Sequence, residues 1–89
     1  VFLFKIKIMV KYKLEKISDD KFNGLHPNGF DAGMVYYGYL IFGLPQVGAP
    51  FFFNRINYKP MSTSSVTKEI DGDGIFKTSN STYCLIEVD

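Results

Sequence analysis

The sequence predicts an all-β chain: a small curled antiparallel sheet or partly open barrel. Three observations predict it. A strict two-residue alternation runs through the first fourteen positions. Turn residues then recur at roughly 8–16-residue intervals. The apolar mass is carried by Phe, Tyr, Ile and Val rather than Ala, as pleated surfaces favour.

The first element is the alternating segment. Phe2, Phe4, Ile6, Ile8, Val10, Tyr12 and Leu14 share one parity, and Lys5, Lys7, Lys11, Lys13 and Glu15 share the other, with Met9 a large apolar intruder among the lysines. Successive side chains of a strand point to opposite faces, so this stretch predicts a ribbon with one apolar and one cationic side. Met9-Val10-Lys11 would also serve as a chain start, but the alternation crosses Met9 in phase, which argues that residues 1–8 are structural. Beyond Leu14, Ser18-Asp19-Asp20-Lys21-Phe22 predicts one helical turn capped by Ser18 and ended by Gly24.

Asn23-Gly24 and Asn28-Gly29 are turn signals, the latter within His26-Pro27-Asn28-Gly29-Phe30. Met34 to Phe42 reads as a second strand, apolar on both parities, with Gly33, Gly38 and Gly43 marking bends or close backbone approaches. Leu44 to Pro50 is a stiff loop and Phe51 to Tyr58 a third strand. Lys59 to Ser64 is a polar link before a fourth strand around Ser65 to Ile70. Asp71-Gly72-Asp73-Gly74 is the clearest hairpin turn, and Ile75 to Thr78 and Thr82 to Val88 complete the set around Ser79-Asn80-Ser81. Five to six strands of this length suit an SH3-like or OB-like barrel, with a two-sheet sandwich as the alternative.

Eighty-nine residues feed one core, so residues 1–89 are expected to form a single domain. The net charge of +1 provides no global field for nucleic acid, but its distribution is uneven. Residues 1–21 hold six Lys against three acids, and residues 69–89 hold five acids against one Lys. This predicts that the two end strands lie together and neutralise each other's outer faces. Cys84 is the one cysteine, so no intrachain disulfide can form; its neighbours Tyr83, Leu85 and Ile86 predict a small core residue. No apolar run is long enough for a membrane span or a signal-peptide core, which gives a cytoplasmic expectation by default. Asn80-Ser81-Thr82 then reads as a turn rather than a glycosylation acceptor.

Catalytic signatures are sparse. His26 is the one imidazole and reads as an exposed loop residue, since pairing it with Cys84 has no support in spacing. Two Cys or His residues are too few for zinc. The Asp71–Gly74 stretch fails a calcium loop, because Ile75, Phe76 and Thr82 fall where oxygen ligands, a Gly and a Glu are needed. No phosphate-binding Gly-rich loop and no hydrolase motif occurs. The expectation is a non-enzyme without cofactor or metal.

Binding is the remaining class. Nine Phe and six Tyr exceed what a core of this size was expected to hold, so part of Tyr36, Tyr37, Tyr39, Phe51, Phe52 and Phe53 is expected at the surface, with Arg55 beside them. Exposed aromatics mark protein interfaces, whether with a protein partner or with a second copy in a homodimer. The alternative is single-stranded nucleic acid held by Lys5, Lys7, Lys11 and Lys13, with tyrosines as stacking platforms. Against it, only one Arg is present, and lysines along an edge strand also guard against aggregation.

The C-terminal half carries Gly43-Leu44-Pro45-x-Val47-Gly48, then Thr63-Ser64-x-Val66, then Phe76-x-Thr78-x-Asn80-Ser81-x-Tyr83. Over roughly residues 38–86 this resembles small uncharacterised proteins encoded by bacteriophages and mobile elements. The resemblance implies a context in which a compact chain binds and disables a host enzyme, such as a defence nuclease. It supplies no site residue.

Overall fold

A computed structural model describes residues 10–20 and 30–88. The alternating positions Phe2 to Met9, with Lys5 and Lys7, lie outside the described residues, as do Lys21, Phe22, Asn23-Gly24, His26 and Asn28-Gly29. Six strands are present: β1 (Lys11–Asp19), β2 (Val35–Leu40), β3 (Pro50–Arg55), β4 (Met61–Lys68), β5 (Ile75–Thr78) and β6 (Ser81–Val88). Each pairs antiparallel with its neighbour in sequence, and β6 pairs back onto β1, so the sheet closes into a barrel. The all-β expectation holds, and the closure is complete.

Alternation fills the interior. From β1, Leu14 and Lys16 are buried; from β3, Phe51, Phe53 and Arg55; from β4, Met61, Thr63 and Val66; from β5 and β6, Phe76, Tyr83 and Leu85. Phe30, in the connection before β2, is fully buried among them. The rings form a continuous chain. Tyr58 meets Tyr36 at 5.1 Å between centroids, Tyr36 meets Phe30 at 4.9 Å, and Phe30 meets Tyr83 at 5.8 Å. Tyr83 stacks on Phe76 at 5.2 Å, and Phe76 meets Phe51 edge-on at 5.2 Å. Such pairs add about 0.5–1.5 kcal/mol each beyond area burial.

Lys16 is 1% exposed. A bulge between Lys16 and Ser18 explains how it is accommodated. In an unbroken strand, residues three apart face opposite sides; the extra residue shifts the phase and brings Asp19 onto the side of Lys16. Lys16 Nζ and Asp19 Oδ1 then pair at 3.0 Å. The ammonium also lies 5.4 Å from the Phe30 ring centre and 5.7 Å from that of Tyr83. Ile17, at the bulge, is turned outward.

Several boundaries differ from expectation. β1 runs through Ser18 and Asp19, which pair with Thr82 and Ser81 of β6, so no helical turn begins at Ser18. Residues Met61–Ser64 belong to β4 rather than to a link, because Met61 and Thr63 point inward while their polar neighbours face out. A register shift in the β3–β4 pairing is stabilised by Thr63, whose Oγ1 accepts from Phe51 N at 3.0 Å. β3 ends at Arg55, and the chain turns through Asn57 with φ 67°. The Asp71 turn is as expected: its Oδ1 accepts from Asp73 N and Ile75 N, and its carbonyl from Gly74 N. Cys84 is half-buried on the outer side of β6 rather than in the core; Tyr83 and Leu85 take the inward places.

Gly38 is where β2 and β3 cross most closely. A Cβ there would collide with the carbonyl oxygen of Asn54. Gly38→Ala should therefore lower unfolding stability by about 1–3 kcal/mol or more. Gly72→Ala, where a Cβ meets nothing within 4 Å, should change it by less than about 0.5 kcal/mol. Urea unfolding of both variants checks the difference.

Candidate functional site

The barrel wall sorts the expected site residues into two groups. Phe51 and Phe53 are buried on the inward parity of β3, with Arg55 next in phase. Tyr36 is half-buried against Phe30, and the Arg55 guanidinium carbon sits 4.7 Å from its ring centre and 5.6 Å from that of Tyr58. Arg55 Nε donates to the Lys59 carbonyl at 2.8 Å. The expectation that Tyr36, Phe51, Phe53 and Arg55 form an exposed patch is thus corrected. The interior is built of aromatic rings, so it takes up more of them than composition suggested.

Tyr37, Tyr39 and Phe52 fall on the outward parity. Tyr37 is exposed, and Tyr39 and Phe52 are half-buried. Phe52 packs edge-on against Phe42 at 5.1 Å, and Phe42 is 76% exposed. Phe42, Leu44 and Val47 are exposed in the loop between β2 and β3. None of the three is among the residues expected in the site, although Phe42 ends the second strand predicted from the sequence.

Lys11 and Lys13 stand beside Tyr37. Lys13 is its register partner across β1 and β2, and Lys11 Nζ lies 6.0 Å from its ring centre. On the other side of β1 their partners are Val88 and Ile86, not acids. The end strands do pair, but these two lysines are not matched by carboxylates in register. Lys13 is not an edge residue, because it is paired on both sides, with Tyr37 of β2 and Ile86 of β6. Protection of a free edge therefore does not account for it.

A separate polar cluster joins β1 to β6. Ser81 Oγ donates to Asp19 Oδ1 at 2.8 Å, and Ser18 and Thr82 hydroxyls donate to the two oxygens of Asp20 at 2.8 and 2.9 Å. The Ser18 and Thr82 hydrogen bonds hold the Asp20 carboxyl below its ordinary value. Burial pushes the Cys84 thiol up, with Glu15 adding to the effect. Among the described residues no group of three or more His, Cys, Asp and Glu could hold a metal ion, and no helix is long and apolar enough to cross a membrane. No family model, no curated protein and no solved structure matches this chain.

Burial pushes the Tyr83 phenol up to about 12. The folded barrel favours its neutral form, so this contribution to stability is complete below the unfolded value of about 10 and is lost as pH rises from there toward 12. Tyr83→Phe should flatten that alkaline loss relative to the wild-type chain. Urea midpoints of the two proteins between about pH 9 and about pH 12 measure it.

Proposed function

We propose that this chain is a non-catalytic binding domain that docks a protein partner through the outer face of β2 and β3. One observation carries the proposal: Tyr37, Tyr39 and Phe52, with Phe42 packed on Phe52, lie on the outside of a wall whose inner side is already filled. Their exposure is not needed to complete the core. Aromatic side chains presented on a rigid sheet are favoured interface anchors, because little freedom is lost on docking. A small barrel seated on a partner's surface can block it without chemistry, which fits the inhibition of a host enzyme that the phage resemblance implies.

A second reading has its own support. Lys11 and Lys13 flank Tyr37, the pairing of cation and ring that single-stranded nucleic acid engages.

A partner recovered on the wild-type chain, then purified and titrated, should bind Tyr37→Ala about 30-fold more weakly, a cost of about 2 kcal/mol. The variant's thermal melting should be unchanged. Equal binding by the variant would remove this face from the interface. For the nucleic-acid reading, log affinity for an oligonucleotide should fall with log salt, and Lys13→Ala should reduce the slope by about 0.7. Lack of retention at low salt would eliminate that reading.

A further inference from the structure

β5 and β6 differ in length: β5 has four residues and β6 eight. β5 pairs with β6 through Ile75↔Cys84, Phe76↔Tyr83 and Lys77↔Thr82, and Leu85 N then donates to the Gly74 carbonyl at 2.8 Å. Beyond that bond, Ile86, Glu87 and Val88 pair with β1 alone among the described residues. Along an antiparallel strand, the N–H and C=O of alternate residues point to the same side. Leu85 N points toward β5, so the backbone groups of Glu87 point that way too, past the end of β5. No strand of the described residues stands there to receive them. β6 therefore keeps a short open edge in a barrel that is otherwise closed.

The edge borders a recess of about 440 Å³. Its apolar lining is Leu44, Ile70, Leu85 and Ile86, and Leu44 and Ile86 are exposed. Its charged lining is Asp71, Asp73 and Glu87, with no cation among the lining residues. Lys68 Nζ lies 3.9 Å from Asp71, with both side chains well exposed. Lys13 stands across β6 from the recess, as the register partner of Ile86, and Glu15 follows it on the same side of β1. Neither Asp73 nor Glu87 has a cation within ion-pair distance among the described residues. The recess is apolar inside and anionic at its margin.

These features select one occupant. An open strand edge pairs with an extended backbone, and its flanking pockets then choose the side chains. Successive side chains of that added segment point to opposite sides. Apolar residues of one parity fill the recess, and basic residues of the other meet the carboxylates. A second copy adding through the same edge would bring Glu87 against Glu87, and a nucleic acid would bring phosphates to three carboxylates; like charges disfavour both.

We propose that the open edge of β6 at residues 86–88 takes up an extended segment of a protein partner in which apolar and basic residues alternate. The recess shares no lining residue with the Tyr37 and Phe52 face, so this is a second docking site beyond the one proposed above.

Amide chemical shifts of the isotope-labelled full chain, titrated with a blocked peptide alternating lysine and valine, test this. Shifts are expected at Gly74, Glu87 and Val88, and the affinity should fall as salt rises. A peptide with glutamate in place of lysine, and the lysine peptide methylated on its backbone nitrogens, should not bind. Asp73→Asn combined with Glu87→Gln should weaken the lysine peptide about fivefold with melting unchanged. Tyr37→Ala should bind it as the wild-type chain does. No shift at the highest soluble peptide concentration would overturn the proposal, and so would shifts centred on Tyr37 and Phe52. Equal binding of the glutamate or methylated peptide, an unweakened double variant, or loss of binding in Tyr37→Ala would contradict it as well.

Discussion

The pairing of β1 with both β2 and β6 is the constraint on which the rest of this structure depends. It turns a six-strand meander into a closed wall and leaves β1 without an edge. It also determines which residues share the interior. The bulge at Ile17 brings Asp19 beneath Lys16, and the two rings nearest the ammonium come from distant parts of the chain, Phe30 before β2 and Tyr83 on β6. A lone buried ammonium would be costly; here a carboxylate and two aromatic faces compensate it, and Ser81 supports the carboxylate.

Closure also explains the division of labour between the two faces of the wall. Inward positions are taken by a continuous series of rings from Phe30 through Tyr83, Phe76 and Phe51 to Phe53, leaving the outward positions of β2 and β3 with no structural demand on their side chains. Solvent would ordinarily favour polar residues there. Tyr37 and Phe52 stand there instead, with Phe42 packed on Phe52 from the adjoining loop, which is why binding is the function we propose for that face. Lys11 and Lys13 border it through the β1–β2 pairing, giving the surface an aromatic centre with a cationic margin.

Much of the architecture was legible because period-two patterning and turn chemistry depend on local sequence. The Asp71–Gly74 turn, the inward placing of Leu14 and the glycine at the β2–β3 crossing all follow from such signals. What was not legible depends on phase shifts. The bulge at Ile17 turns Asp19 to the inner side, and no residue type announces it; without that carboxylate in view, Lys16 did not stand out as a core residue although it shares the parity of Leu14. The shift in β4 likewise concealed Met61 and Thr63 within a polar stretch. Of the candidate residues, Tyr37, Tyr39 and Phe52 lie on the outward parity, whereas Phe51, Phe53 and Arg55 are buried and Tyr36 packs on Phe30. A run of three Phe does not reveal its inward parity until its partner strands are known, and Arg55 looked like a surface residue until two tyrosines enclosed it.

Amide hydrogen exchange, resolved strand by strand, tests the closure of the barrel most directly. The account predicts that backbone amides of β1 and β6 engaged in their mutual pairing are protected to a similar degree and lose protection together in mild denaturant. Rapid exchange along β1 while β3 to β6 remain protected would mean that the sheet is open at this seam, and the interior place of Lys16 would fall with it.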